Sequence, residues 1–335
     1  MKNNPLTSVV MSVYNGEKYL SEAIESVLNQ TDKDFEFIII NDGSIDKSLE
    51  IIERYAAYDI RIVLISRENK GLVYSLNEGI SIAKGEYIAR MDADDISLPT
   101  RFEEQINYMN NNNLCLCGSW IEVFNEADVV DIWKYPESHK DNVFRLFFMS
   151  SFAHPSVIMR KNVFKELKYK NEVAEDYRLW CDIVNKGFNI GNIQKVLLKY
   201  RRHENQITKL KLKELVDSSN IIRLNFAEII DREVFKLLEG LIEIQNNNNI
   251  SKFEKLLKKL LATSQKYSVS KDNLKIITKA VYNKSSPKNP LIYYSYFKAT
   301  KGIKRNIKEE FRFFIKSLIV VGKESFIYQS FKKNK

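Results

Sequence analysis

Apolar positions in the first ninety residues switch between two periods. Ser8–Val13 (SVVMSV) is a short β-branched run of the kind that builds a strand buried on both faces. The segment after it puts Leu20, Ala23, Ile24, Val27 and Leu28 on one side of a helix. The alternation then repeats. FEFIII (35–40) reads as a strand, SLEIIERYAAY as a helix, RIVLIS (61–66) as a strand, LVYSLNEGISIA as a helix, and a strand over 87–91 ends at Asp92. Strands separated by helices of about ten to fifteen residues predict an α/β fold with a mostly parallel, doubly wound sheet and right-handed crossovers. Ligands bind such sheets outside the carboxyl ends of the strands, which directs attention to the loops after Val13, Ile40, Ser66 and Met91.

Beyond the fourth strand the pattern loosens. RFEEQINYMN reads as a helix, LCLCGSWIEVF as a longer strand, the stretch around IWKYPES as an edge strand or a loop, DNVFRLFFM as a helix and PSVIMR as a strand. EDYRLWCDIVNKG is a helix closed by Gly187, and VLLKYR (196–201) is a last strand. From Ile207 onward only helical periods occur, separated by polar spacers such as QNNNN and YNKSSPKNP. The expectation is a domain over 1–208 followed by a helical region over 209–335, with the boundary between 205 and 215.

Charge divides the chain at the same place. The 335 residues carry a formal charge of +9, but residues 1–208 sum to −6 and residues 209–335 to +15. An acidic first half argues against binding a phosphate backbone, and the basic residues of the second half are scattered over helices without the groove that nucleic acid needs, so no nucleic-acid partner is expected. Cys115, Cys117 and Cys181 form no C-x-x-C pair, which suggests a reducing compartment and no zinc site. The start of the chain has too short an apolar run for a secretory signal. A cytoplasmic protein is therefore expected. Residues 299–335 hold ten Lys or Arg against three Glu, interleaved at helical spacing with Ile303, Ile307, Phe311, Phe314, Ile315, Leu318 and Ile319. Their longest uncharged stretches, 317–322 and 325–331, are far below the ~20 residues a spanning helix needs. This segment reads either as an amphipathic helix in peripheral contact with an anionic membrane, at its inner face, or as a helix packed on the domain before it.

Several familiar chemistries are missing. There is no G-x-G-x-x-G after the first strand, no G-x-x-x-x-G-K-[ST] and no G-x-S-x-G elbow. The strand ends carry acid instead: Asp42 after the second, then Asp92, Asp94 and Asp95 after the fourth. Carboxylates at alternate positions past a strand can face one crevice, and their mutual repulsion is relieved by a divalent cation, for which all-oxygen ligands select Mg2+ or Mn2+. The alternative is a solvated acidic turn in which Asp95 caps the next helix, with Pro99 in its first turn.

The motifs SVVMSVYNGEKYLSEAIESVLNQT, FIIINDGSID and KGLVYSLNEGISIAKGEYIARMDADD, together with the later E-D and H-P-S elements, resemble the nucleotide-sugar-binding half of an inverting family 2 glycosyltransferase with the GT-A fold. The resemblance covers roughly the first 205 residues. It implies a UDP-sugar donor, with Tyr14 packed on the uracil, Asp42 accepting from its N3–H, Asp92 on the ribose and Asp94 on a Mn2+ or Mg2+ that bridges the phosphates. Tyr14 could equally be a plain strand-end aromatic, and Asp42 also fits an Asx turn in N-D-G-S. The family implies a base in the E-D pair: Asp176 is the first choice and Glu175 the second. His154, held extended by Pro155, is placed on the acceptor side or in a structural role. Of Arg201, Arg202 and His203, His203 is favoured on the metal and Arg202 on the diphosphate. Arg90 and Lys70 lie close enough to contact phosphate, with a solvent-facing salt bridge as the safer reading for each.

Two functions follow. The favoured one is a metal-dependent inverting transferase that moves a sugar from a UDP-sugar to a hydroxyl of a glycan or lipid-linked glycan in surface polysaccharide synthesis, or of a glycosylated protein. The rival is a non-catalytic nucleotide-sugar-binding protein on the same fold, which would be expected to have lost one of Asp42, Asp92, Asp94 or Asp176.

Overall fold

The apolar runs become strands that begin deep in the core and stop together at one edge. The computed structural model describes residues 4–125, 128–203, 212–247 and 250–284. In it β1 (Thr7–Val13), β2 (Phe35–Asp42), β3 (Ile62–Arg67) and β4 (Tyr87–Asp92) pair in parallel in the order β3-β2-β1-β4. The helices between them are α1 (Leu20–Leu28), α2 (Ser48–Tyr58) and α3 (Leu72–Ile82). Leu20, Ala23, Ile24 and Val27 are wholly buried, as the helical period predicts, and Leu28 is partly so. The order reverses direction at β1, so the crevice of an open sheet lies there. Register brings the ends level: Val13 lies opposite Asn41, and Ser12 opposite Asp92.

The loops that leave this edge are tied to one another. Asn15 N–H donates to Ser44 Oγ at 3.0 Å, Gly16 N–H to Ser48 Oγ at 2.9 Å, and Ile45 N–H to Asn15 Oδ1 at 2.9 Å. Gly43 has φ +73, and a Cβ on it would stand 2.5 Å from the Asn69 nitrogen, so glycine is required both by conformation and by space.

Beyond β4, where the alternation in the sequence breaks down, the rest of the nine-stranded sheet is mixed. After β5 (Ile96–Ser97) and α4 (Arg101–Asn111), β6 (Leu116–Phe124) pairs with β7 (Val129–Trp133) and, past α5 (His139–Leu146), with β8 (Ile158–Arg160). β8 runs antiparallel to both β4 and β6, whereas β9 (Ile190–Arg201), which follows α6 (Glu175–Asn185), is parallel to β6. β5 pairs antiparallel with β9, so the order is β3-β2-β1-β4-β8-β6-β9-β5, with β7 off this path against β6. Strand direction is set by which edges meet, and an apolar run carries no record of that. β9 starts six residues before the Val196 expected from the sequence, because its first half reads as polar. There Asn192 is fully buried, and its Nδ2 donates to Pro136 O and Asn142 Oδ1, each at 2.9 Å.

Beneath the sheet, α4 supplies two buried polar side chains that bind backbone carbonyls. Arg101 Nη2 donates to Arg90 O at 2.8 Å, and Gln105 Nε2 to Cys117 O and Ser156 O at 2.9 Å. Burial, and then the charge of Arg90, lowers the Arg101 pKa to about 9.

The described residues divide into two compact units that part between Arg223 and Leu224. The later described elements are all helices: α7 (Leu212–Ile230), α8 (Arg232–Asn247), α9 (Ile250–Lys266) and α10 (Lys271–Lys284). Asp231 caps α8 by accepting from Glu233 N–H at 2.9 Å, and its other oxygen accepts from Lys266 Nζ at 2.8 Å. No helix among the described residues is long and apolar enough to cross a membrane. The basic segment 299–335 lies outside the described residues.

Candidate active site

β4 delivers three carboxylates to the level edge. Asp92 is its last residue, and the chain turns through Asp94 and Asp95 into β5. One oxygen from each of Asp92, Asp94 and Asp95 falls within 4.8 Å of the others. Asp95 is fully buried; its Oδ1 accepts from Arg201 N–H at 2.9 Å, while its Oδ2 has no hydrogen-bond partner among the described residues. It does not cap the next helix, since two residues of β5 and the Leu98–Thr100 turn intervene and α4 begins at Arg101. Burial first, and then the charges of Asp94 and Asp92, push its carboxyl well above the usual range. Burial also raises Asp92, against the pull of Arg90. Three crowded carboxylates with a buried, unpartnered oxygen and no sulfur or second imidazole fit a hard divalent cation such as Mg2+ or Mn2+.

The end of β9 closes over this cluster. His203 Nε2 lies 2.8 Å from Asp94 Oδ2, a contact across 109 positions, and the imidazole packs on Tyr19 with ring centres 5.4 Å apart. Arg202 is exposed, and only its backbone N–H has a described contact, to Phe124 O at 2.8 Å. Arg201, which the sequence offered but did not favour, is the buried one. Its Nε donates to Asp94 O at 2.9 Å, and its guanidinium covers the Tyr19 and Phe124 rings and pairs with Glu22. Strand alternation near β9 was the available signal, hidden because three polar residues follow in a row.

Across the β1–β2 edge, Tyr14 is over half exposed. Asp42 is buried and already heavily engaged. Its carboxylate accepts from Lys70 N–H at 2.8 Å and Gly71 N–H at 2.9 Å and pairs with Arg67, so it anchors the loop after β3. The Asx-type bond in N-D-G-S belongs to Asn41, whose Oδ1 accepts from Ser44 N–H at 3.3 Å. Parallel register puts Asp42 beside Arg67, a pairing that the sequence alone does not reveal.

A second pair of carboxylates starts α6. Glu175 and Asp176 occupy its first turn. Glu175 Oε1 stands 3.7 Å from Nδ1 of His154, which sits in the helical turn His154–Ser156 and whose Nε2 is 2.9 Å from the Tyr169 hydroxyl. Burial, and then Arg90, holds His154 well below its ordinary pKa, so the ring is neutral. Arg90 is not solvent-facing: it is 4% exposed and pairs with Asp92. Its charge reaches Asp92, Asp95, Glu175 and Asp176 together, and that common cation joins the two carboxylate groups into one site. Burial, and then Asp176, raises Glu175 to about 8; burial also raises Asp176. The two carboxyls are both held above the ordinary carboxylate range by their shared burial, and they titrate as a coupled pair. Tyr169, fixed by paired bonds with Asn77 at 2.9 and 3.0 Å, had no signal in the sequence.

Comparison with known proteins gives this geometry a family. Residues 8–168 match the family model described as Glycosyl transferase family 2. The O-antigen biosynthesis glycosyltransferase WbnJ of Escherichia coli is 38% identical over 213 residues, covering 62% of this chain and 84% of its own. Staphylococcus aureus TarS, residues 1–349, in complex with UDP-GlcNAc superposes with a TM-score of 0.58 at 15% identity, over 98% of this chain and 92% of that one, a likeness of fold. An uncharacterized glycosyltransferase of Haemophilus influenzae is 34% identical over 321 residues, spanning 84% of this chain and 98% of the relative. Similarity along nearly the whole length of that relative, added to the family-model match, makes this chain a member of glycosyltransferase family 2.

Proposed function

We propose that the protein is a metal-dependent inverting glycosyltransferase that moves a hexosyl or N-acetylhexosaminyl group from a UDP-sugar to a hydroxyl of a glycan or lipid-linked glycan, in the synthesis of a surface polysaccharide. The observation that carries this reading is the meeting of two carboxylate groups around Arg90: Asp92, Asp94 and Asp95 at the end of β4, and Glu175 and Asp176 at the start of α6. One group suits a cation and a diphosphate, the other a proton. The UDP-GlcNAc complex of the TarS fold supports the donor, and the O-antigen role of WbnJ supports the product class.

Inversion is a single in-line displacement, in which the acceptor oxygen bonds to the anomeric carbon as the bond to the nucleoside diphosphate breaks. Asp94, with His203 beside it, would hold Mn2+ or Mg2+, and Asp92 the ribose. The ion, when bound, supplies positive charge to the departing diphosphate. Tyr14, exposed at the mouth, takes the uracil face, Asp42 the uracil edge through its remaining lone pairs, and Arg202 the diphosphate. Asp176 takes the acceptor proton, and His154 lines the acceptor side. The purified chain, screened with Mn2+ against a panel of UDP-sugars, is expected to hydrolyse one of them slowly without acceptor. Failure with every UDP-sugar would sink the donor assignment.

The basic 299–335 segment supports peripheral contact with an anionic membrane at the cytoplasmic face, by roughly 1 kcal/mol for each well-placed Lys or Arg. Full-length protein is expected to sediment with anionic vesicles at low salt, and deletion of 299–335 to release it with donor hydrolysis intact. Absence of the full chain from the vesicle pellet would make the segment structural.

A further inference from the structure

β7 is an anomaly in this sheet. All five of its residues are exposed, yet four of them are large and apolar: Val129, Val130, Ile132 and Trp133, at 58, 50, 44 and 36%. Backbone pairing with β6 holds the strand, so its side chains are not there to fill a core. The three tryptophans make the contrast plain. Trp180 is fully buried, and Trp120 commits its indole N–H to Tyr135 O at 3.1 Å. Trp133 is the exposed one, and its indole N–H has no partner among the described residues.

One face of Trp133 is nonetheless fixed. Its ring lies against Tyr200 of β9, with centres 5.7 Å apart and planes 30° from parallel. Register accounts for this: Trp133 is opposite Ile121, Ile121 is opposite Leu198, and Tyr200 is the next residue on that face. Tyr200 in turn borders the acidic cluster, since the adjoining Arg201 N–H donates to Asp95 Oδ1 at 2.9 Å. The phenol is raised by burial and then by Asp95, Asp92 and Asp94, in keeping with that position. The aromatic pair therefore runs outward from the carboxylates to solvent, with a rigid flat ring at its outer end.

A flat ring with a free N–H donor, continuous with the site of transfer, suits a pyranose. The C–H face of a sugar ring packs on an aromatic face, and its hydroxyls accept from the indole N–H at the rim. We infer that Trp133, backed by Tyr200, is the platform on which the glycan acceptor stacks. This rests on the glycosyltransferase reading above and names the surface that reading leaves open. The platform binds the acceptor and takes no part in bond making.

The test uses the full chain, the UDP-sugar found by the hydrolysis screen, and methyl glycosides of common hexoses and N-acetylhexosamines as soluble acceptors. Trp133→Ala is expected to raise acceptor KM about tenfold, with kcat for transfer and acceptor-free donor hydrolysis within about twofold of wild type. Trp133→Phe, which keeps a ring face, should recover most of the KM. Unchanged KM overturns the platform, as does an equal fall in transfer and hydrolysis, which would mark a structural or donor-side role. Dissociation of a dimer by Trp133→Ala with acceptor KM unchanged would also overturn it, by showing β7 to be an interface between copies. A wild type that hydrolyses donor but transfers to none of the glycosides counts against the platform, whereas one that hydrolyses no UDP-sugar defeats the function reading instead.

Discussion

Replacing Asp94 by Ala is expected to abolish sugar transfer and metal-dependent UDP binding while leaving the fold in place. The side chain is only partly buried and lies at a strand end, where its described side-chain contact is to His203. Its removal therefore opens no cavity in the core, and melting should stay close to wild type. The chemistry loses much more. Loss of an ion that offsets several kcal/mol of developing charge corresponds to a fall in turnover on the order of 10³. The measurement is transfer with and without Mn2+, alongside UDP binding at several metal concentrations. Turnover like that of the wild type in Asp94→Ala, or full wild-type activity in excess EDTA, would remove the metal from the mechanism.

Asp176→Asn should fail in a different way. The amide keeps the shape and hydrogen-bonding capacity of the carboxyl but cannot take a proton, so donor should bind nearly as before while turnover falls by a factor on the order of 10² or more. The pH profile separates Asp176 from its neighbour. Glu175 is raised to about 8 by burial and then by the charge of Asp176. Both carboxyls are held above their ordinary values, so each ionises later in the folded chain than in the unfolded one. If Asp176 is the base, kcat/KM climbs with pH through the lower of the pair's two transitions and is already level where Glu175 titrates. Glu175→Gln should then leave that rise in place, because Glu175 is neutral there in the wild type. A wild-type rise centred at about 8, lost in Glu175→Gln, would instead make Glu175 the base.

The sequence by itself determined the elements whose burial is local and periodic. The runs that became β1, β2 and β4 are mainly apolar, and Leu20, Ala23, Ile24 and Val27 share one side of α1, because a helix face and a two-sided buried strand each leave their period in the chain. Position then followed from topology, since acids that end a parallel strand must stand at its carboxyl edge, and this made Asp42 and the Asp92–Asp95 cluster legible as a candidate site. The tertiary structure alone decided what depends on distant partners. The antiparallel course of β8 and the polar first half of β9 come from neighbours that are remote in the chain. Arg90 reads as a surface cation until the fold buries it against Asp92, and Asp42 reads as a free carboxylate until Arg67, Lys70 and Gly71 occupy it. Electrostatic environment is a property of the assembled neighbourhood: burial sets its strength, and the partners that fix its sign lie tens of residues away, as with His203 on Asp94 and Arg201 on Asp95.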